Sequence, residues 1–162
     1  MSVTIANRQR VQKINLRLLK KITAALLAEL ETQRAEIGIC LVAAPEMTRL
    51  NETFLKHKDS TDVITFDYRT EGRAGSPLSA DGAHGVSRPT ILGEIYVCVD
   101  EAVLQARKFG TTWQSEVVRY LIHGVLHLLG FDDSSAGARR KMKREENRRL
   151  REIARRFPLS KL

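Results

Sequence analysis

The stretch HGVLHLLGFDD, residues 123–133, is the most apolar helical segment of the chain, yet it carries two histidines, stops at a glycine and ends in two aspartates. Residues four apart in a helix lie nearly above one another. His123 and His127 therefore project from one face, while Gly124 and the apolar residues between them point elsewhere and pack. Two imidazoles at this spacing can bind one metal ion, as in helical zinc sites. In an unbroken helix Asp133 would lie roughly 240° around the axis from His127, facing away. Gly130 is where a break costs least, because glycine takes the left-handed C-terminal conformation without penalty. A turn there swings Phe131 inward as an anchor and returns Asp133 to the histidines. A bare HxxxH is more often a pair of ordinary core histidines, and the glycine stop with its carboxylates reverses that reading. His123, His127 and Asp133 are thus the candidate metal ligands. Three protein ligands leave a fourth position for water, the pattern of a catalytic rather than a structural zinc. Asp132 is a candidate partner for the free N–H of a ligating imidazole. It could equally cap the next helix, for which Ser134 or Ser135 competes.

Outward from this helix the chain alternates strand and helix signals. Val3–Ile5 is a short strand. Asn15 caps a helix to about Gln33, with Leu19, Ile22, Leu26 and Leu30 on one stripe. Ile37–Val42 is a continuous apolar run, as in a strand covered on both faces. Pro45 suits the first turn of a second helix, from which Met47, Leu50 and Phe54 face inward. Thr61–Tyr68 and Ile91–Val99 are β-branched and aromatic strands. Asp100 caps a helix that Gly110 ends after Phe109. Thr111 with Gln114 forms a capping box for the histidine helix. Residues 69–90 hold four of the ten glycines and two of the four prolines, and read as a flexible loop or insertion. The last helix spans residues 136–156, with Pro158 beyond it. About four strands and five helices in mixed order predict an α+β domain, helices packed on a small central sheet, with the metal site on a core helix.

The 162 residues suffice for one domain over 1–162. No apolar run reaches the ~18 residues a membrane span needs. The first residues lack the pattern of a signal peptide, so the expected location is cytoplasmic. Cys40 and Cys98 lie far apart in apolar strands and read as buried, reduced thiols. The net charge is +8, and the segment 136–156 carries ten Lys/Arg against three Glu, nearly all of that excess. A basic face so concentrated suggests a polyanionic partner, nucleic acid first.

These features bound the chemistry. In the metalloprotease motif HExxH a general-base Glu follows the first histidine, and here Gly124 stands there. A metal that activates water and polarises a phosphoryl oxygen can still hydrolyse a phosphodiester. With the basic helix, a nuclease is favoured over a protease, and the metal-bound water is the expected nucleophile. The general acid is not identified.

At these residues the chain resembles the YbeY family of bacterial endoribonucleases, the rRNA maturation factors. The family signature is approximately HGxLHLxGYDH, with Phe131 here in place of tyrosine and Asp133 in place of the third histidine. A second block, LNxxYR followed by TDVLSF and a strand opening Gly-Asp-Ile, is matched by Leu50–Asn51, by Thr61–Phe66 and by Gly93–Glu94–Ile95. The order of elements agrees along nearly the whole chain, less so over 69–90 and the basic C-terminus. The resemblance implies one Zn²⁺ per chain, cleavage of single-stranded RNA, maturation of the 16S rRNA 3′ end and late ribosome quality control. Ribosomal RNA and the small ribosomal subunit are the implied partners, with no membrane.

Carried over by position, the ligands are His123, His127 and Asp133. The family's functional arginine falls on Leu55, and Lys56, His57 or Lys58 could supply the missing charge. Arg139, Arg140 and Lys143 are further candidate phosphate contacts. Glu94 faces either the cleft or solvent, and His84 lies inert in the loop. A carboxylate ligand leaves Zn²⁺ a weaker Lewis acid than three imidazoles would, and admits harder ions such as Mn²⁺. Only nine Phe, Trp and Tyr are present, too few for strong base reading by stacking. Two rivals stand beside this reading: a non-catalytic, ribosome-associated RNA-binding factor with a structural metal, and a metallopeptidase-like hydrolase.

Overall fold

A computed structural model of the chain describes residues 1–55, 61–70 and 89–162. Four strands form one mixed sheet: β1 (Ser2–Asn7), β2 (Arg34–Val42), β3 (Val63–Asp67) and β4 (Thr90–Cys98). Their order is β1-β2-β4-β3. β1, β2 and β4 run parallel, and β3 pairs antiparallel with β4. Five helices accompany them: α1 (Leu16–Glu29), α2 (Ala44–Leu50), α3 (Val99–Phe109), α4 (Trp113–Leu128) and α5 (Ala136–Arg156). The class is α+β, as the sequence predicts.

Side chains alternate across the strands, so one face of the sheet collects Ile37, Ile39 and Leu41 of β2 with Ile91, Ile95 and Val97 of β4. α1 and α4 close that face with Leu19, Ile22, Leu26, Leu121, Ile122 and Leu126, all essentially without solvent contact. On the other face, α2 covers one end, where Cys40, Val42, Met47, Ile64 and Cys98 form a smaller cluster. Among the described residues, β2 is therefore covered on both faces at its C-terminal half, part of the Ile37–Val42 run expected to be sandwiched. Both cysteines are buried and neither forms a disulfide among the described residues, matching their predicted state.

α4 sits very close to the sheet. A Cβ on Gly124 would lie 2.7 Å from Ile95 Cγ2 and 3.2 Å from Thr65 Cγ2. One on Gly93 would lie 2.4 Å from the Phe66 carbonyl and 2.9 Å from Leu128 Cδ2. Neither position has room for a side chain, so these two glycines set the height of the histidine helix over β3 and β4. Arg69, just past β3, ties the same corner: its guanidinium donates to Asp67, to the Thr90 carbonyl and to the Leu128 carbonyl.

Several local expectations need correction. α1 is capped by Asn15, whose Oδ1 accepts from Leu18 N–H, but it ends at Glu29 rather than near Gln33. Phe54 does not face inward. The helical turn widens to a π turn over Asn51–Leu55, which rotates Phe54 off the inner stripe and leaves it 58% exposed, edge-on to Phe66. Asp100 does not cap α3. β4 runs directly into that helix, so Cys98 holds the cap position, and the Asp100 carboxylate instead accepts from Ala44 N–H at the start of α2. The α4 cap lies one residue later than predicted: Thr112 accepts from Ser115 N–H, while Thr111 donates to Glu116. Ser135, not Asp132, caps α5. Of the loop read over 69–90, Arg69 and Thr70 belong to a short 3₁₀ turn, Thr90 opens β4, and 71–88 lie outside the described residues.

Candidate metal centre

The end of α4 shows how a local break builds a site. Gly130 takes φ +96°, the left-handed region where a Cβ costs energy. Its N–H donates to the His127 carbonyl, and Phe131 N–H donates to Leu126 O. This paired closure is a Schellman motif, and Phe131 packs against the core beside it. The chain then doubles back. Asp132 accepts from the N–H groups of Asp133 and Ser134 and from the Ser134 hydroxyl, tightening the turn. Asp133 is thereby returned to the histidines, with Oδ2 3.6 Å from His123 Nε2 and 3.5 Å from His127 Nε2. The three ligand atoms lie within 4.8 Å of one another, a set that could hold a metal ion.

The hydrogen bonds behind the rings decide what the front atoms offer. His127 Nδ1 lies 3.0 Å from the Phe131 carbonyl, which only accepts, so this nitrogen carries the proton. His123 Nδ1 lies 2.9 Å from the Glu146 carboxylate and donates likewise. In the neutral rings both Nε2 atoms therefore present lone pairs, and they face each other at 2.9 Å with the Asp133 carboxylate alongside. Three electron-pair donors converging in this way repel one another unless a cation lies among them. The donor set, two imidazoles and one carboxylate, suits Zn²⁺ and also tolerates Mn²⁺.

Glu146 is the residue that sequence reasoning missed. It projects from α5 and is 5% exposed. Burial alone would raise its carboxyl. Hydrogen bonds from the His123 ring and Arg119 overturn that and hold it below the ordinary glutamate range. Burial opposes charge on the His123 ring in turn, but Glu146 outweighs it and raises the histidine. Arg119 reaches Glu146 at 3.2 Å and Asn147 at 2.7 Å, clamping α4 to α5. Both residues left a signal. Glu146 stands four residues after Met142 on the buried face of α5, an acid where an apolar residue belongs. Arg119 stands four residues before His123, on the same side of α4. The partners of the imidazole N–H groups are thus Glu146 and the Phe131 carbonyl, while exposed Asp132 bonds within its own turn.

A cleft of about 620 Å³ opens beside the cluster, lined by His123, Asp133, Arg119, Arg139, Lys143 and Glu146 among others. Arg139 and Lys143 therefore share a cavity with the cluster, and Arg140 lies in an adjoining groove with Lys143. Leu55 is half exposed at the end of the π turn. Lys56, His57, Lys58 and His84 lie outside the described residues. Glu94 is on the sheet face opposite α4, where it accepts from the Tyr68 and Tyr96 hydroxyls. It does not face the cleft, and it is only partly buried.

With the geometry in place, comparison with known proteins is direct. A family profile described as Endoribonuclease YbeY matches residues 1–154. A protein named Endoribonuclease YbeY from Salinibacter ruber is 34% identical over 122 residues, covering 75% of this chain and 73% of its own. One of the same name from Finegoldia magna is 31% identical over 157 residues, covering 94% of each. Among solved structures, the solution structure of a Thermotoga maritima protein is similar with a TM-score of 0.59 and 25% identity, over 93% of this chain and 88% of the other.

Proposed function

The chain belongs to the endoribonuclease YbeY family, and from that premise we propose that it is a zinc-dependent endoribonuclease specific for single-stranded RNA. Its task is maturation of the 16S rRNA 3′ end and late quality control of ribosomes, in the cytoplasm and against the small ribosomal subunit. Residues 1–162 act as one catalytic domain. No helix among the described residues is long and apolar enough to cross a membrane. The observation that carries the reading is the convergence of the two Nε2 lone pairs and the Asp133 carboxylate beside a cleft that also holds Arg139 and Lys143.

His123, His127 and Asp133 would hold the ion. Bound there, it supplies Lewis-acid polarisation of a phosphoryl oxygen and a water of lowered pKa. The protein's own groups do the rest. Glu146 and the Phe131 carbonyl hold the protons on Nδ1, so both rings present Nε2 to the site. Arg119 balances the buried Glu146 charge, which would otherwise be costly. Arg139 and Lys143 offer cations to the phosphates flanking the scissile bond. A peptidase mechanism lacks its base, because the position after His123 is Gly124 and faces Ile95 and Thr65 of the sheet with no room for a side chain.

The test is metal analysis and RNA cleavage on natively purified protein and on Asp133→Ala. The expected result is close to one ion per wild-type chain, cleavage of single-stranded but not duplex RNA, and loss of both ion and cleavage in the variant. Wild-type protein that is folded and metal-free, or metal-loaded and inert on RNA, would overturn the proposal.

A further inference from the structure

The cleft does not end at the metal cluster. Lys143 lines both it and a second, more open groove of about 490 Å³ along α5, whose other walls are Arg140, Arg144, Asn147 and Arg151. These positions recur every three or four residues, so they form one stripe of the helix. From Arg140 to Arg151 the stripe is about 17 Å long. The opposite stripe of α5, with Met142, Glu146 and Ile153, is buried.

The charges on α5 are not equivalent. Glu145 pairs with Arg148 and Arg149, and Glu29 takes Arg149 and Arg156. Glu146 faces Arg119 and His123 and, at 4.0 Å, Lys143. Lys141 rests over the Phe131 ring. Arg140, Arg144 and Arg151 have no carboxylate partner among the described residues. Arg139 and Arg155 have none either; of these five, Arg140, Arg144 and Arg151 share the groove leading away from the metal cluster, and Arg139 lines the cleft itself.

We infer that this row is the track for the phosphate backbone of the single-stranded RNA beyond the cleavage point, entered from the metal cleft across Lys143. The inference rests on the proposed endoribonuclease reading and adds to it where the strand runs. Guanidinium groups pair with successive phosphates without reading sequence. The row holds no aromatic side chain on which a base would stack, so binding there depends on strand length and salt rather than on base identity.

The experiment is fluorescence anisotropy on the full, metal-loaded chain, with labelled single-stranded 2′-O-methyl RNA of about 4 and about 14 nucleotides. Oligonucleotide integrity is checked on a gel. Arg144→Glu/Arg151→Glu is compared with wild type and with Arg17→Glu/Lys20→Glu, an equal charge change on exposed positions of α1. Equal melting temperature and metal content establish that the variants are folded. The α5 variant is expected to lose at least about tenfold in affinity for the longer RNA and little for the shorter. The slope of log affinity against log salt should flatten by about 1.4, or ~0.7 per lost phosphate contact. Unchanged binding would overturn the inference. An equal loss in the α1 variant would also overturn it, since net charge alone would then explain the effect. Because the readout is binding, a chain that binds RNA along α5 but never cleaves it would refute the endoribonuclease reading and leave the track standing.

Discussion

At the scale of single residues, the site depends on which proton sits where. His123 offers Nε2 to a metal only while Nδ1–H is held by Glu146, and Glu146 tolerates burial only because Arg119 faces it. Glu146→Ala should therefore lower metal affinity by about 10- to 100-fold, the usual effect of losing the group behind a ligating histidine. Competition with a chromophoric chelator measures this, and an affinity within twofold of wild type would show that the contact is idle. Asp133 sets the other electronic property. Asp133→His should narrow metal acceptance toward Zn²⁺, because a third imidazole replaces the carboxylate that suits harder ions. The ratio of Mn²⁺ to Zn²⁺ affinity is the readout, and it should fall in the variant. A ratio that holds or rises would disprove this account of the substitution.

At the scale of elements, the decisive piece is the end of α4. The HxxxH spacing places two rings on one face, but the third ligand arrives only because the helix stops at Gly130 and the chain reverses. A Cβ at 130 meets no atom of the described residues within 4 Å, so its effect is that of the left-handed backbone. Gly130→Ala should destabilise by about 1 kcal/mol and weaken metal binding more than it weakens the fold. Thermal melts with and without chelator separate the two effects. A melting temperature that falls with no change in metal affinity would show that Asp133 reaches the site by another route. The neighbouring caps teach a related lesson. Thr112 caps α4 where Thr111 was predicted, and Cys98 takes the place predicted for Asp100. Several polar residues stood next to each helix start, and the backbone path between elements chose among them.

At the scale of the whole molecule, the sheet and α4 form one packed unit, and the site is an edge of the core. Leu126 lies on α4 between the two histidines and has no solvent contact. Leu126→Ala should cost about 2–5 kcal/mol, the range for a buried leucine whose cavity closes only in part. Denaturant unfolding measures it, and a loss below about 1 kcal/mol would mean that α4 is looser on the sheet than its contacts imply.

Much of this was written in the sequence because it depends on local periodicity. Short apolar and β-branched runs mark four strands, the i, i+4 pattern marks the histidine face, and glycine at 130 marks the reversal, since each follows from backbone geometry and a few neighbours. The family resemblance rested on the same short stretch, on a second block at Leu50–Asn51, Thr61–Phe66 and Gly93–Ile95, and on the order of elements. The partners of the imidazole N–H groups were not legible. Glu146 is separated from His123 by the end of α4, a turn and about three helical turns of α5, and nothing local says that α5 folds back along α4. Asp132 was the nearer acid in sequence, but its turn spends the carboxylate on Ser134. The division of the basic helix was equally hidden. Sequence shows ten cations, and only the packing of α5 decides which are neutralised by glutamates from α1 and α5 and which are left to line the groove. Sequence by itself determined the class of fold, the histidine face and the place where the chain turns back. Tertiary structure decided the second layer of the site and the direction of its charge, because both depend on contacts between elements far apart along the chain.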